Sequence, residues 1–174
     1  MRNLILYISC SLDGYIAKPN DDLGFLNLVQ IEGEDYGYND FISTVDTVIL
    51  GRRTYDWVMG EVQEFPHFDK EVYVITHREQ PAKGNINFYG GDLQKLVLKL
   101  KSESGKNIFC DGGSEVVNQL FTYKLFDEII ISIVPIVVGN GTRLFKDGRP
   151  EQEFKHCGTK TYKSGLVQLH YKIA

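Results

Sequence analysis

Glycine and two arginines follow directly on a short apolar segment in the first third of the chain. Thr47 to Leu50 is a β-branched and apolar run that predicts a buried strand, and a predicted helix opens with Gly51, Arg52, Arg53 and Thr54. The first N–H groups of a helix lack partners within the helix and favour an anion. Arginine adds donors whose geometry suits phosphate. This junction predicts a phosphate site, and a strand–helix turn with solvated arginines is the alternative.

Two further predicted strands end in residues of the same kind. The strand Asn107 to Cys110 is followed by a second predicted helix start, with Gly112, Gly113, Ser114 and Glu115. The strand Glu71 to Thr76 ends in a hydroxyl, and Arg78 lies just beyond it. Paired glycines let a backbone come close to a ligand. The carboxyl ends of parallel strands line the ligand crevice of an α/β sheet. Three such ends on one sheet suit a dinucleotide that carries a pyrophosphate and an extra ribose phosphate.

The hydrophobic pattern places these junctions in a single α/β domain, residues 1–174. Predicted helices at Glu34 to Thr44 and at Leu93 to Ser104 alternate with the strands, and Asp92 is a suitable N-cap. The apolar run from Glu128 to Val138 predicts a strand, which Pro135 bends or confines to an edge. The tail, Phe154 to Ile173, alternates apolar and polar residues and predicts an antiparallel hairpin.

Composition and charge exclude several classes of protein. The net charge is −4 and no basic block is present, which argues against a nucleic-acid partner. No segment approaches the roughly 18 consecutive apolar residues of a membrane span. The three cysteines and four histidines show no metal-ligand spacing, so no metal site is expected. An odd number of cysteines without a signal peptide predicts a cytoplasmic protein with free thiols.

Other sequence patterns associated with nucleotide binding or hydrolysis do not fit. The glycines lack the G-x-G-x-x-G spacing, and no Gly-Lys-Ser/Thr follows a glycine loop. Neither Ser11 nor Ser114 stands in a G-x-S-x-G motif. The Rossmann fingerprint, the P-loop and the nucleophile elbow are therefore not found in this sequence.

Motifs spread over nearly the whole chain resemble the dihydrofolate reductase-like superfamily. The resemblance is strongest to the branch that contains the reductase domain of the bifunctional riboflavin-biosynthesis deaminase–reductase. The motifs are S-L-D-G-Y-I-A at Ser11–Ala17, L-G-R-R-T-Y at Leu50–Tyr55, D-G-G at Asp111–Gly113, D-E-I at Asp127–Ile129, Pro135, G-N-G at Gly139–Gly141 and L-F at Leu144–Phe145. The resemblance implies a three-layer fold with a mixed, mainly parallel sheet, helices on both faces and a C-terminal antiparallel hairpin.

The resemblance also implies that the cofactor is NADPH and assigns its contacts. Gly51, Arg52, Arg53 and Thr54 would hold its phosphates, and Thr76 and Arg78 would lie near the adenosine 2′-phosphate. Gly112, Gly113, Ser114 and Glu115 would surround the pyrophosphate and the nicotinamide side, and Ala17 would contact the nicotinamide. The Ser114 hydroxyl has two candidate roles, capping the helix or binding a phosphate oxygen.

Reduction of a C=N bond also requires a proton, and two aspartates are candidate donors. Asp35 precedes Gly51 by about the spacing of the substrate-binding acid in folate reductases. Its alternative is a solvated position at a helix start, which acidic residues favour. Asp13 is the second candidate, and its alternative is to cap the turn that shapes the following loop.

The expected function is an NADPH-dependent reductase that acts on a small heterocycle, pterin-like or aminopyrimidine. The leading specific substrate is 5-amino-6-(5-phosphoribosylamino)uracil of riboflavin biosynthesis, for which Lys18, Arg143 and Lys146 are candidate cations. Dihydrofolate reductase and a non-catalytic NADPH-binding sensor are the alternatives. The Trp-containing loop of true dihydrofolate reductases is missing from Lys18 to Leu26, and no deaminase domain is present. The resemblance also implies a homodimer, formed through the Ile129 to Val138 strand or the tail hairpin.

Overall fold

The computed structural model describes residues 1–174, which form ten strands and four α-helices. The strands are β1 (Leu4–Ser11), β2 (Tyr15–Ala17), β3 (Val45–Gly51), β4 (Glu71–Ile75), β5 (Ile86–Tyr89), β6 (Asn107–Gly112), β7 (Glu128–Val134), β8 (Thr142–Arg143), β9 (Phe154–Thr161) and β10 (Val167–Ile173). The helices are α1 (Tyr38–Ser43), α2 (Arg52–Glu61), α3 (Leu93–Ser102) and α4 (Ser114–Thr122). Two short 3-10 helices, Pro19–Asp21 and Gly24–Val29, precede α1. None of the helices has the length and apolar character that a membrane span requires.

Eight of the strands form one mixed sheet in the order β5-β4-β3-β6-β1-β7-β10-β9. Pairing is parallel from β5 to β7, and β10 pairs antiparallel with both β7 and β9. Strands β2 and β8 form a separate antiparallel pair. The predicted α/β fold is confirmed, including the mainly parallel sheet and the C-terminal antiparallel hairpin.

Helices cover both faces of the sheet, and alternating strand residues feed two separate cores. In β3, Ile49 packs in the core beneath α3 and α4, whereas Val48 and Leu50 pack in the core beneath α1 and α2. This alternation follows from the period of two along a strand. Because both faces are covered, β3 is apolar from Thr47 to Leu50 apart from one hydroxyl, as expected for a buried parallel strand.

Helix α1 and strand β7 are several residues shorter than the sequence predicts. Helix α1 begins at Tyr38, because Tyr36 and Gly37 have φ values of +57° and +81° and leave the helical region. Strand β7 ends at Val134, directly before Pro135, which lacks the N–H that a further ladder bond needs.

Strand β7 lies inside the sheet between β1 and β10, so it is not an edge strand, and it ends before the proline. Both of its edges are therefore paired within the chain. The edge strand at this end of the sheet is β9 of the tail hairpin. The homodimer stays a prediction, and of its two expected contact regions only the hairpin offers a free strand edge.

Glycine is required where β2 meets β8. A Cβ atom on Gly141 would lie 2.0 Å from the carbonyl oxygen of Ala17, and Gly141 has φ of +139°. We expect Gly141→Ala to lower the free energy of unfolding by about 1–3 kcal/mol, the usual range for overpacking. Urea unfolding measures the change. Gly158→Ala is the matched control, because a Cβ there meets nothing within 4 Å. Equal stability of the two variants would contradict the prediction.

Candidate active site

A cleft of about 2000 Å³ opens where β3, β4 and β6 end. Parallel strands place their carboxyl ends at one edge of a sheet, so the three predicted junctions meet there. Ten of the eleven predicted cofactor residues line it, namely Ala17, Gly51, Arg52, Arg53, Thr54, Thr76, Arg78, Gly113, Ser114 and Glu115. Gly112 is buried just behind the wall, with φ of +98°. Of the predicted catalytic residues, neither Asp13 nor Asp35 lines the cleft.

The starts of α2 and α4 lie side by side, and glycines permit the contact. A Cβ on Gly113 would lie 2.9 Å from Thr54 Oγ1, and one on Gly51 would lie 3.4 Å from Val116 Cγ2. Backbone of Gly51 and Gly113 is therefore close together, with no side chain between it and the cleft. Two helix N-termini and their free N–H groups thus converge on one wall, which is the chemistry that a pyrophosphate requires.

Arg52 and Arg53 are held at this wall by carboxylates. Arg52 Nε donates to both oxygens of Asp56, at 2.7 and 2.9 Å, and the guanidinium lies 5.6 Å from the centroid of the Phe88 ring. Arg53 Nε donates to Asp21 at 2.7 Å, and its side chain is 74% exposed. Both pairings use Nε, so the Nη donors of each arginine are left for an anionic ligand.

The end of β4 forms a tight turn at the cleft. The backbone N–H of Arg78 donates to Thr76 Oγ1 at 3.1 Å, which is a hydroxyl-capped turn. The Thr76 hydroxyl is therefore engaged by the chain itself. The Arg78 side chain is exposed and lies along the cleft.

The Ser114 hydroxyl has neither of the two roles considered from the sequence. Gly113 is the N-cap residue of α4, and Ser114 Oγ donates to the carbonyl of Arg143 at 2.5 Å. The buried Asn118 side chain donates to Ser114 Oγ at 3.1 Å and to the carbonyl of Leu144 at 2.8 Å. Both side chains therefore fasten β8 and the following residues to α4. What Ser114 offers a ligand is its backbone N–H.

Asp35 has neither the position nor the protonation state of a proton donor. Its exposed carboxylate accepts hydrogen bonds from the backbone N–H groups of Gly37, at 2.9 Å, and Asn39, at 3.0 Å. These bonds lower the pKa of Asp35. A carboxyl with a lowered pKa is ionised at neutral pH. The structure thus matches the alternative, an acidic residue at the helix start.

Asp13 has the turn-capping role that was its alternative. Its carboxylate accepts hydrogen bonds from Ser11 Oγ at 2.6 Å and from the N–H groups of Val138 and Gly139 at 3.0 and 2.7 Å. The bond from Ser11 is the largest cause of a pKa lowered to about 2, and the two backbone bonds add to it. Asp13 therefore joins the turn after β1 to the loop that leads into β8.

Asp111, which was not among the proton donors predicted from the sequence, lines the cleft together with Asp21, Asp56, Asp92, Glu115 and Asp147. Pairing of β3 with β6 runs from Ile49–Cys110 to Leu50–Gly112 and skips Asp111. A bulge of this kind re-aims a side chain. Burial alone raises the pKa of the Asp111 carboxyl to about 7, with no contribution from a hydrogen bond or a neighbouring charge. The sequence feature that could have identified Asp111 was its position between an apolar strand and the glycine pair Gly112–Gly113.

Three aromatic side chains line the same cleft as this carboxyl. Tyr38 lies 6.5 Å from Phe109 and 5.8 Å from Tyr7, ring centroid to ring centroid, and all three line the cleft. Burial is the main cause of a raised pKa at Tyr38, and the charge of Asp111 raises it further. Asp111 and Tyr38 therefore face the same part of the cleft.

The fold and the cleft define the class: a dihydrofolate reductase-like α/β protein whose phosphate-competent helix starts adjoin a half-buried carboxyl. Residues 2–168 match the RibD C-terminal domain. The chain belongs to that family. No group of three or more His, Cys, Asp or Glu side chains in the structure is arranged to hold a metal ion.

Similar proteins match over nearly the whole chain. Uncharacterized protein YwjB of Bacillus subtilis (strain 168) is 40% identical over 98% of this chain and 97% of its own length, and YyaP of the same organism is 30% identical over 98% and 94%. A putative riboflavin biosynthesis protein from Shewanella sp. PV-4 has a TM-score of 0.90 and 25% identity, covering 100% of this chain and 99% of the other. A diaminohydroxyphosphoribosylaminopyrimidine deaminase/5-amino-6-(5-phosphoribosylamino)uracil reductase from Thermotoga maritima has the same fold, with a TM-score of 0.74 and 14% identity over 99% of this chain and 57% of the other.

The raised pKa of Asp111 predicts a stability change with pH. Its pKa in the folded protein, about 7, exceeds the ordinary value of 3.8, so the folded state holds the proton more tightly. Stability from this group therefore falls as pH rises between about 4 and 7. We expect Asp111→Asn to gain stability relative to the unsubstituted protein from pH 5 to pH 8, as measured by urea unfolding.

Asp13→Asn is the control for this pH prediction. The pKa of Asp13 is lowered to about 2, so its stabilising contribution is complete above about pH 4 and is lost only on further acidification. This variant should be less stable than the unsubstituted protein by the same amount at pH 5 and pH 8. An Asp111→Asn difference that is equally constant would contradict the raised pKa.

Proposed function

We propose that the protein is an NADPH-dependent reductase that transfers hydride to a pterin-like or aminopyrimidine ring. Membership of the RibD C-terminal domain family supports a reductase-like role in riboflavin-pathway chemistry. The observation that carries the proposal is one continuous cleft that joins two converging helix starts to the carboxyl of Asp111. The helix starts suit the phosphates of a dinucleotide, and the Asp111 carboxyl suits a ring that must accept a proton.

The chain's own residues fit NADPH at the cleft wall. The N–H groups at the starts of α2 and α4 bind the pyrophosphate, and the Nη donors of Arg52 and Arg53 neutralise its charge. Arg78, at the end of β4, pairs with the adenosine 2′-phosphate. Ala17 packs against the nicotinamide from β2. When bound, NADPH supplies the hydride; the protein positions the substrate ring and excludes water.

Asp111 supplies the proton in this proposal. A general acid works best when its pKa lies near the operating pH, because it is then partly protonated and still acidic enough to donate. Burial brings Asp111 to about 7, whereas Asp13 and Asp35 are both shifted in the opposite direction. The carboxyl forms no hydrogen bond within the chain that would hold its proton away from a substrate.

Two compounds of this class are the candidate substrates. One is 5-amino-6-(5-phosphoribosylamino)uracil, because the Thermotoga maritima protein that shares the fold carries a reductase of that name. The other is dihydrofolate, from the wider fold class. A non-catalytic NADPH sensor is the remaining candidate, and it requires cofactor binding without turnover of any ring compound.

NADPH binding can be tested by thermal unfolding. A ligand that binds only the folded state at a hundredfold excess over its dissociation constant stabilises by about 2.7 kcal/mol. We expect a clear rise in melting temperature with NADPH and a smaller one with NADH. Arg78→Ala should weaken NADPH binding about tenfold and leave NADH binding unchanged, because a charge-assisted hydrogen bond to phosphate is lost. Lys155→Ala, on the exposed face of β9, is the control, and absence of any NADPH shift would refute the proposal.

Turnover can be tested by following NADPH oxidation with both candidate substrates. Asp111→Asn keeps the shape of the side chain but has no acidic proton, so we expect kcat to fall about 10²–10⁴-fold. NADPH affinity should stay unchanged. Asp35→Asn is the comparison, since Asp35 lies outside the cleft and the amide oxygen can still accept one of the two backbone N–H bonds, and turnover should stay within about threefold. The reverse pattern would restore Asp35 as the proton donor.

A further inference from the structure

The cations that line the cleft differ in whether the chain neutralises them. The two arginines at the start of α2 each form an ion pair with a carboxylate. Arg143, Lys146 and Arg149 also line the cleft, from one short segment beside α4, and none of the three forms an ion pair. The segment 143–149 therefore presents positive charge that no carboxylate of the chain holds.

The sequence analysis selected only two of these three cations. Arg143 and Lys146 were candidates for a substrate phosphate, together with Lys18. Lys18 does not line the cleft, and its ammonium group lies 4.0 Å from the carboxylate of Asp22. Arg149 was not selected, because the residues next to it in the sequence do not show that it packs against α4. The structure therefore replaces Lys18 with Arg149 in this set of cations.

Arg149 is held by an amide and not by an acid. Its Nη1 donates to the side-chain oxygen of Asn118 at 2.6 Å, and its guanidinium lies 5.5 Å from the centroid of the Phe145 ring. The same Asn118 oxygen accepts from the backbone N–H of Lys146 at 2.9 Å. Because the amide is uncharged, it fixes the guanidinium without neutralising it. Arg149 is thus oriented in advance and keeps its full charge.

Asn118 is itself fixed by its surroundings. Its side chain is buried, and Nδ2 donates to the carbonyl of Ser114 at 2.6 Å and to the carbonyl of Leu144 at 2.8 Å. Asn118 lies four residues beyond Ser114 on α4, which is about 6 Å along the helix axis. Arg149 therefore adjoins the body of α4 and not the helix start, whose N–H groups are assigned to the pyrophosphate.

The chain leaves part of the Arg149 guanidinium without a partner. Its Nε is buried and forms no hydrogen bond, although buried donors are nearly always paired. Burial is the main cause of a lowered pKa at Arg149, and the charge of Asp147 opposes the effect. Keeping an unneutralised cation partly out of water costs free energy, and a bound anion would offset this cost.

We propose that Arg149 and Lys146, positioned by Asn118, bind an acidic group of the substrate, either a phosphate or a carboxylate. This inference rests on the proposed reductase function and adds a second anion subsite to the cleft. In that function the cofactor phosphates already have partners at the starts of α2 and α4 and at Arg78. The subsite therefore selects a ring compound that carries an acidic tail, and a compound with a neutral tail should bind weakly.

Two matched pairs of compounds test the inference. The phosphate pair is 5-amino-6-(5-phosphoribosylamino)uracil and its dephosphorylated form. The carboxylate pair is dihydrofolate and its diamide, in which both carboxylates are replaced by amides. Calorimetric titration into the protein saturated with NADP⁺ measures binding without turnover. We expect the acidic member of one pair to bind at least tenfold more tightly, with an affinity that falls as salt rises, and that pair identifies the acidic group.

Arg149→Gln tests the subsite itself. A hydrogen bond to a charged group is worth about tenfold or more in affinity, so this variant should lose most of the preference for the acidic member. Affinity for the neutral member and for NADP⁺ should not change. Lys146→Gln should reduce the preference in the same direction. Lys155→Gln, on the exposed strand β9 and outside the cleft, is the control and should keep the full preference.

Asn118→Asp tests the positioning role. The substitution keeps the size of the side chain but places a carboxylate against Arg149 Nη1. We expect the acidic compound to lose at least tenfold in affinity relative to its neutral partner, because the guanidinium is then neutralised within the chain. A purely structural role of Asn118 would weaken both members of the pair equally, and that result would overturn the positioning role.

The possible failures are distinguishable. If NADP⁺ itself does not bind, the proposed function fails. If NADP⁺ binds but no ring compound does, or if acidic and neutral members bind equally, this inference alone is overturned. It is also overturned if the preference persists in Arg149→Gln, or if that variant loses NADP⁺ affinity instead, since the subsite would then serve the cofactor.

Discussion

The close approach of two helix starts is the constraint on which the site depends. Strands β3 and β6 are parallel neighbours at the middle of the sheet, so the helices that follow them must begin next to each other. A Cβ atom on Gly113 would lie 2.9 Å from Thr54 Oγ1, which leaves no room for a side chain there. Glycine at these positions therefore does more than permit a turn. It lets backbone N–H groups from two helices face one ligand, where their partial charges add.

The same junction produces the unusual carboxyl. After Asp111 has been skipped, Gly112 pairs with Leu50 of β3. The bulge at Asp111 and the glycine pair that follows it therefore lie together at the end of β6. Burial is the only cause of the raised pKa of Asp111, and no neighbouring charge contributes to it. An acid placed closer to Arg52 or Arg53 would be ionised at neutral pH and could not donate a proton. Burial thus keeps part of the Asp111 population protonated near neutral pH.

Local sequence signals predicted most of the strands, the four α-helices and the three junctions, because apolar runs and glycines indicate the local backbone conformation; the two-residue strand β8 was not predicted. Contacts between distant segments account for what was missed. The position of Asp111 depends on how β6 pairs with β3, and the role of the Ser114 hydroxyl depends on a carbonyl in β8. Neither partner can be read from the neighbouring residues. Asp35 was selected by its spacing from Gly51, and spacing along the chain does not reveal which way a turn directs a side chain.

The structure gives Asp35 a different part in the same site. Its carboxylate binds the backbone N–H groups of Gly37 and Asn39 and so holds the left-handed turn that ends just before Tyr38. That turn delays the start of α1 and sets the direction from which Tyr38 enters the cleft. Because these bonds lower the pKa of Asp35, the carboxylate stays ionised at neutral pH and continues to accept both hydrogen bonds of the turn. Asp35 thus fixes the turn before Tyr38 without lining the cleft, whereas Asp111 lines the cleft itself.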